Sequence, residues 1–168
     1  MDAYKAIVTK RDTRTFSDEP VDEATLRRIL QAGRMAGSAK NRQPVRFVVV
    51  SERSRKEELA RCGDFSAWIP EAAVNVAVVM PDGEREFDAG RAAQNLMVAA
   101  NAEGLASCPV TMHHRECAAE VLGLPPDHRV HIVVALGHGP RAHDQKRPDA
   151  ARKPLEEYVH YDRWQSAD

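Results

Sequence analysis

Residues 88–105 read DAGRAAQNLMVAANAEGL, and they carry the clearest helical signal in the chain. Small or apolar side chains recur at helical spacing and line one face: Ala89, Ala92, Ala93, Leu96, Met97 and Ala100. We expect Asp88 to cap this helix at its N-terminus and Gly104 to end it. The opposite face is also apolar, so the helix is predicted to pack against neighbours on several sides.

Helices and strands alternate on either side of this segment. Helical spacing and capping residues predict further helices at 2–10, 22–35, 54–61 and 115–122. Short apolar runs rich in β-branched residues predict strands at 45–51, 74–80, 105–110 and 130–136. We therefore expect one layered α/β or α+β domain over residues 1–168. Its polar C-terminal arm, residues 139–168, regains aromatic residues near its end and is expected to dock on another surface.

The composition argues against several classes of protein. The 168 residues carry 24 Lys and Arg against 25 Asp and Glu, so nucleic-acid binding through a concentrated basic face is not expected. The longest apolar runs, 47–50 and 76–80, are too short to span a bilayer, and no membrane partner is predicted. The N-terminus lacks the features of a signal peptide, which predicts a cytoplasmic protein.

The cysteines and histidines favour neither a disulfide framework nor a metal site. Cys62, Cys108 and Cys117 are odd in number and lack metal-type spacing, so reduced thiols are predicted. The seven histidines form no HxxxH or HExxH pattern. Cys108 could act as a nucleophile, but a buried, inert thiol is the more frequent case.

Two polar clusters each allow a functional and a structural interpretation. Residues 10–16, KRDTRTF, place three cations where a helix gives way to an extended segment. They could clamp a phosphate, or they could stabilise a helix end. Residues 37–44, GSAKNRQP, form a loop whose amides could contact a heterocycle, or which serves as an ordinary turn before a strand. The adjacent amides Gln94 and Asn95 are expected to satisfy backbone groups at a helix-packing surface.

In their order along the chain, these segments resemble the motifs of the nitroreductase-like FMN-dependent oxidoreductases. A basic motif like Arg-Arg-Ser-x-Arg-x-Phe is matched by Lys10, Arg11, Asp12, Arg14 and Phe16. A motif like Pro-Ser-x-x-Asn-x-Gln-Pro is matched by Gly37, Ser38, Asn41, Gln43 and Pro44. The central helix motif, Asp-x-Gly-x-Ala-x-Gln-Asn-Leu-x-Leu-Ala-Ala followed by Gly-Leu, is matched at 88–105. With Leu-Gly at 136–137, residues 152–157 and Trp164, the resemblance covers nearly the whole chain.

This resemblance implies an α+β fold of three layers, in which a mostly antiparallel central sheet lies between helices. It also implies a homodimer with two FMN molecules at the subunit interface. The C-terminal arms are expected to be exchanged between the two subunits.

The same resemblance implies which residues bind FMN. Arg11 and Arg152 correspond to phosphate ligands, with Lys10 assisting and Asp12 standing where the family often has Ser. Arg14 corresponds to a cation near the pyrimidine edge of the flavin. Four positions correspond to contacts from the other subunit: Gly37, Ser38, Ala39 and Asn41. Three more correspond to contacts with the flavin ring: Pro109, Val110 and Thr111. No catalytic side chain is expected, because the cofactor itself transfers hydride.

The implied activity is ping-pong hydride transfer from NAD(P)H through FMN to an electron-poor acceptor such as a nitroaromatic or a quinone. Three positions depart from the family pattern, namely Gly37 for Pro, Val45 for an aromatic residue, and Met112 for Gly. The departures at Val45 and Met112 leave open a flavin storage or sensor protein, and a specialised flavin reductase of the same family is a further alternative. The short connector at 81–87 predicts a pocket more open than in larger relatives.

Overall fold

The computed structural model describes residues 1–139 and 152–164, in which helices alternate with strands. The strands are β1 (Arg46–Val50), β2 (Val74–Pro81), β3 (Ala106–Val110) and β4 (His128–Gly137). The helices are α1 (Ala3–Thr9), α2 (Glu23–Arg34), α3 (Arg53–Ala60), α4 (Glu86–Ala102) and α5 (Arg115–Leu122). Single 3₁₀ turns occur at Ala39–Asn41, Ile69–Glu71 and Leu155–Glu157. Every predicted helix and strand is present, and each end lies within two residues of its predicted position.

The described strands form one sheet in the order β1-β2-β4-β3, and every neighbouring pair is antiparallel. Strand β2 lies inside the sheet, and residues 74–80 are all buried. This explains why its sequence over residues 74–80 is apolar at every position but Asn75, rather than alternating. Strands β1 and β3 form the opposite edges. The predicted α+β class with an antiparallel sheet is confirmed.

The two faces of the sheet pack against different helices. From β2, Val76 and Val78 join a core cluster with α2 and α4, whereas Ala77 and Val79 join a cluster with α3 and α5. Because successive side chains of a strand point to opposite faces, one strand supplies both cores. The result is a three-layer domain with helices on both sides of the sheet.

Helix α4 contacts α1, α2 and the strands β2, β3 and β4, as its nearly all-round apolar surface predicted. Gly104 ends it with a φ of 82°, a backbone conformation that favours glycine. The prediction that Asp88 caps the helix is wrong, because the helix begins at Glu86 and Arg85 is its N-cap. Asp88 lies in the first turn, where the positive end of the helix dipole stabilises a carboxylate. Asn95 donates to the carbonyl of Ala32 (3.1 Å), as expected of a packing amide, whereas Gln94 is exposed, so the same prediction is wrong for Gln94.

Cys62 and Cys117 form a disulfide, so the prediction of reduced thiols is wrong for this pair. Their Cα atoms are 5.5 Å apart although 55 residues separate them in sequence. Cys62 follows α3 and Cys117 lies in α5, and these two helices contact each other on the same face of the sheet. The pairing therefore depends on tertiary packing, which the spacing of the cysteines does not reveal. Cys108 is buried and free.

Among residues 1–139 and 152–164, none of the helices combines the length and apolarity needed to cross a bilayer. The cytoplasmic location stays a prediction. Of the predicted arm, residues 140–151 and 165–168 lie outside the described residues.

Candidate functional site

The basic segment at 10–14 lies along the outer edge of β3. Asp12 forms a parallel bridge with Ser107, and the N–H of Thr13 donates to the carbonyl of Ser107 (3.1 Å). Farther along, the N–H of Ser17 donates to the carbonyl of His138 (2.8 Å), which fixes the segment beside the end of β4. Lys10, Arg11, Asp12 and Arg14 are thereby placed beside the strand that leads to Pro109, Val110 and Thr111.

The three cations of this segment, Lys10, Arg11 and Arg14, differ in their interaction partners. Lys10 forms an ion pair with Asp12. Arg11 is exposed, and its Nη1 donates to the carbonyls of Val8 (2.9 Å) and Lys10 (2.8 Å). Arg14 has no carboxylate partner within residues 1–139 and 152–164, and its guanidinium lies 5.6 Å from the ring centroid of Trp68. Arg14 therefore carries an available positive charge.

The Cys108 thiol lies on β3 next to these charges. Burial raises the pKa of Cys108, the charge of Asp12 raises it further, and Arg14 and Lys10 oppose the shift. A thiol with a raised pKa is protonated at neutral pH and is a weak nucleophile. Cys108 is thus a packing residue beside Arg14, in agreement with the prediction of an inert thiol.

The side chains of β3 divide between the core and the surface. Val110 is buried in the cluster with α3 and α5, so only its backbone is available for a ligand. Pro109 is half-buried, and Thr111 is exposed at the end of the strand. Met112 is 3% exposed and points into the same core as Val110.

The turn at 62–68 packs against this end of β3, and no motif in the sequence indicated it. A Cβ built on Gly63 would lie 2.9 Å from the carbonyl oxygen of Thr111, so the two backbones are in close contact. The N–H of His114 donates to the carbonyl of Cys62 (2.9 Å), and the N–H of Asp64 donates to Nδ1 of His113 (3.1 Å). The sequence feature that marks this turn is Trp68, because the chain has few aromatic residues.

The second predicted cluster, the loop at 37–44, has an unusual backbone. Lys40, Asn41 and Gln43 have φ angles of 51°, 53° and 51°, a region that non-glycine residues rarely adopt. The N–H of Gln43 donates to Oγ of Ser38 (2.8 Å), and Arg42 forms an ion pair with Glu84 (2.6 Å). Backbone strain of this kind is often retained at ligand sites. Gly37, Ala39 and Asn41 are exposed and Ser38 is half-buried.

A cavity of about 710 Å³ adjoins this loop and extends between α2, β1 and the start of α4. Its wall includes Gly37 and Ser38 of the loop, and four arginines: Arg27, Arg34, Arg42 and Arg46. Asp88, which is 4% exposed, also lines it. The surroundings of the loop are therefore predominantly positive.

The two predicted clusters lie on opposite edges of the sheet. The segment at 10–14 follows β3, whereas the loop at 37–44 leads into β1. The edges are three strand spacings apart, which is about 14 Å. In the described part of the chain, no hydrogen bond or ion pair joins the two clusters. One copy of the chain does not bring all the predicted residues together.

The described part of the C-terminal arm, residues 152–164, presents apolar side chains to solvent. Leu155, Tyr158, Tyr161 and Trp164 are 61–79% exposed. Arg152 is also exposed, and Lys153 forms an ion pair with Glu157 (3.0 Å). On α1, Tyr4 and Ile7 are exposed as well. Exposed apolar side chains are therefore present on both α1 and the arm, and large exposed apolar patches are typical of interaction surfaces.

The residues that the structure describes contain no cluster of three or more His, Cys, Asp or Glu arranged to hold a metal ion.

Comparison with known proteins gives a consistent result. The model of the Nitroreductase family matches residues 7–86 and 81–138. The NADPH-flavin oxidoreductase of Vibrio harveyi is 28% identical over 96% of this chain and 74% of its own length. The crystal structure of nitroreductase A from Vibrio parahaemolyticus superposes with a TM-score of 0.85 and 25% identity over all of this chain and 79% of that one. An FMN-dependent nitroreductase from Clostridium difficile gives a TM-score of 0.83 at 20% identity, with 96% and 99% of the two chains covered.

Proposed function

The chain belongs to the nitroreductase family, and on that basis we propose that it is an FMN-dependent NAD(P)H oxidoreductase that reduces an electron-poor acceptor such as a nitroaromatic or a quinone. The observation that carries the proposal is Arg14, a cation without a carboxylate partner among the described residues, on the same sheet edge as Arg11 and the end of β3. The similar proteins named as an NADPH-flavin oxidoreductase and an FMN-dependent nitroreductase support the choice of FMN as the cofactor and of NAD(P)H as the hydride donor.

The chemistry of the donor set fits FMN, which presents a phosphate and a polar ring edge. Arg11 and Arg152 are exposed, and their planar guanidinium groups suit paired hydrogen bonds to phosphate oxygens. Lys10, which is paired with Asp12, precedes Arg11 in the chain and would assist these arginines. We assign these four residues to the phosphate side of the site.

We assign Arg14 to the pyrimidine edge of the flavin. Bound FMN supplies the two-electron redox chemistry, which amino-acid side chains lack. A fixed cation at that edge stabilises the negative charge that develops on the ring during reduction. A carboxylate next to Arg14 would cancel this effect, and none pairs with it within the described residues. The backbones of Pro109, Val110 and Thr111 would support the ring from the end of β3.

A second copy of the chain completes this site. We propose that Gly37, Ser38, Ala39 and Asn41 of one copy reach the flavin held by the cations of the other. The 14 Å between opposite sheet edges supports this arrangement. In a two-fold dimer, each β1-side loop can lie beside the β3 edge of the other subunit, so two equivalent sites form. The exposed apolar residues of the arm provide a surface for the exchange of arms.

The alternative of a non-catalytic flavin-binding protein depends on Val45 and Met112. Met112 is buried in the core beneath α3 and α5, and Val45 packs against the core formed with α2 and α4. Val45 is half-buried and also lines the cavity beside the loop at 37–44, on the opposite sheet edge from Arg14. No observation therefore favours the alternative over the enzyme.

The proposal is tested by FMN binding and by the oligomeric state. We expect equilibrium dialysis to give one FMN per chain and the mass of the particle in solution to be that of a dimer. Arg14→Ala should weaken FMN binding, whereas Arg55→Ala should not, because Arg55 lies on α3 in an exposed ion pair with Glu58 (3.0 Å). A monomer that does not bind FMN after reconstitution contradicts the proposal.

A further inference from the structure

Trp68 lies against Arg14 although 54 residues separate them in the sequence. The Arg14 guanidinium is 5.6 Å from the centroid of the indole ring. Phe16 stacks on the same ring, with 6.2 Å between centroids and 19° between planes. The tryptophan therefore contacts the basic segment at two positions, 14 and 16.

The tryptophan is itself held in place by the turn at 62–68. Its Nε1–H donates to the carbonyl of Phe65 (2.8 Å). The buried hydroxyl of Ser66 lies 2.7 Å from the carbonyl oxygens of Ala60 and Gly63, and Cys62 is joined to α5 by the disulfide. The ring is half-buried and is hydrogen-bonded within a turn that the disulfide joins to α5, so it provides a held surface for the exposed Arg14 side chain.

An aromatic ring orients a cation differently from a carboxylate. It attracts the guanidinium through its quadrupole without cancelling the charge. An arginine positioned in advance also loses less conformational freedom when it binds a ligand. No carboxylate pairs with Arg14 within residues 1–139 and 152–164, and the face of the indole ring is the contact that the structure shows for its guanidinium.

We propose that Trp68 is a positioning residue for Arg14 and that it raises the affinity of the site for reduced FMN more than for oxidised FMN. The inference rests on the proposed function, because it takes Arg14 to face the pyrimidine edge. Reduced flavin carries the greater negative charge there, so an accurately placed cation favours the reduced form.

The test measures FMN dissociation constants separately for the oxidised and the reduced cofactor under anaerobic conditions. For Trp68→Leu we expect the ratio of the reduced to the oxidised dissociation constant to rise by roughly 3- to 30-fold, the range of a cation–π contact. Trp68→Phe should restore most of the wild-type ratio. Phe65→Leu is the matched control, because its ring is on the same turn and contacts His113 rather than Arg14.

A double-mutant cycle separates positioning from a merely structural role. In the Arg14→Ala background, Trp68→Leu should no longer change the ratio, because the group that Trp68 positions is absent. If Trp68→Leu weakened the binding of oxidised FMN and of reduced FMN equally, the ring would only support the pocket. That result would overturn the inference. A ratio of dissociation constants that Trp68→Leu leaves unchanged would overturn the inference as well. In that case the proposed function still stands, provided that the wild-type protein binds FMN. Failure of wild-type protein to bind FMN removes both.

A second measurement needs no cofactor and does not require Trp68 to be replaced. The chain has two tryptophans, so in Trp164→Phe protein all indole emission comes from Trp68. Introducing Arg14→Ala there should alter that emission in the FMN-free protein, whereas Arg55→Ala should not. Emission that is identical with and without the Arg14 guanidinium contradicts the contact on which the inference rests.

Discussion

Breaking the disulfide between Cys62 and Cys117 is expected to lower the free energy of unfolding by about 4 kcal/mol. The two cysteines are 55 residues apart, and a cross-link over that separation restricts the unfolded chain. Loop-closure entropy for this length is about 14 cal/mol/K, which gives about 4 kcal/mol at 25 °C. The folded state should survive the loss, because Leu59 and Ala118 are fully buried and belong to the same core cluster.

The assay is urea unfolding of protein purified without reductant, with and without a dithiol in the buffer. Cys117→Ser should unfold at the same urea concentration as the reduced wild type, and the dithiol should not change it further. A thiol titration of unfolded protein provides an independent check. It should give one free thiol per chain before reduction, that of Cys108, and three afterwards, the full cysteine content of the chain.

Two results would refute the reasoning about the disulfide. Three free thiols in the unfolded, unreduced protein would mean that the cross-link is absent. One free thiol combined with an unfolding free energy that the dithiol does not change would mean that the bond forms without stabilising the fold.

Gly33→Ala should destabilise the protein by about 1–3 kcal/mol, because a Cβ there would lie 2.6 Å from Cδ2 of the fully buried Leu96. Gly90→Ala, at an exposed helical position with no atom within 4 Å, should instead stabilise by about 0.5–1 kcal/mol in the same unfolding assay. Burial, followed by the charge of Arg129, lowers the pKa of His131 below 6.5, so the unfolded state binds a proton that the folded state does not. Stability should therefore fall as the pH drops below about 6.5, and His131→Gln should reduce this fall in unfolding curves measured across that range.

The parts of the fold that depend on local patterns could be predicted from the sequence. The apolar stripe at 88–105 located α4, and Gly104 located its end because glycine tolerates a positive φ. The sequence does not locate the first turn, because Asp88, although a good cap residue, lies inside the helix. The pairing of β2 with β4 and the disulfide arise from contacts between distant segments, which periodicity does not encode.

The candidate site likewise combines residues that a motif predicts with a residue that only the tertiary fold brings to them. Lys10, Arg11 and Arg14 were indicated by a compact motif, and the structure places all three beside β3. Trp68 belongs to no motif and reaches Arg14 only because the turn at 62–68 folds back onto the end of β3. That Met112 is buried in the core and that Val45 packs against it depends on contacts between distant segments, which the sequence pattern does not encode.

The visible absorbance spectrum of the purified protein, recorded before and after anaerobic addition of NADH or NADPH, tests the central claim most directly. We expect FMN-loaded protein to be yellow, to lose its visible absorbance on addition of the nicotinamide, and to regain it when a quinone or a nitroaromatic compound is supplied. A protein that stays colourless after incubation with FMN, or a yellow protein that neither nicotinamide reduces, would contradict the account.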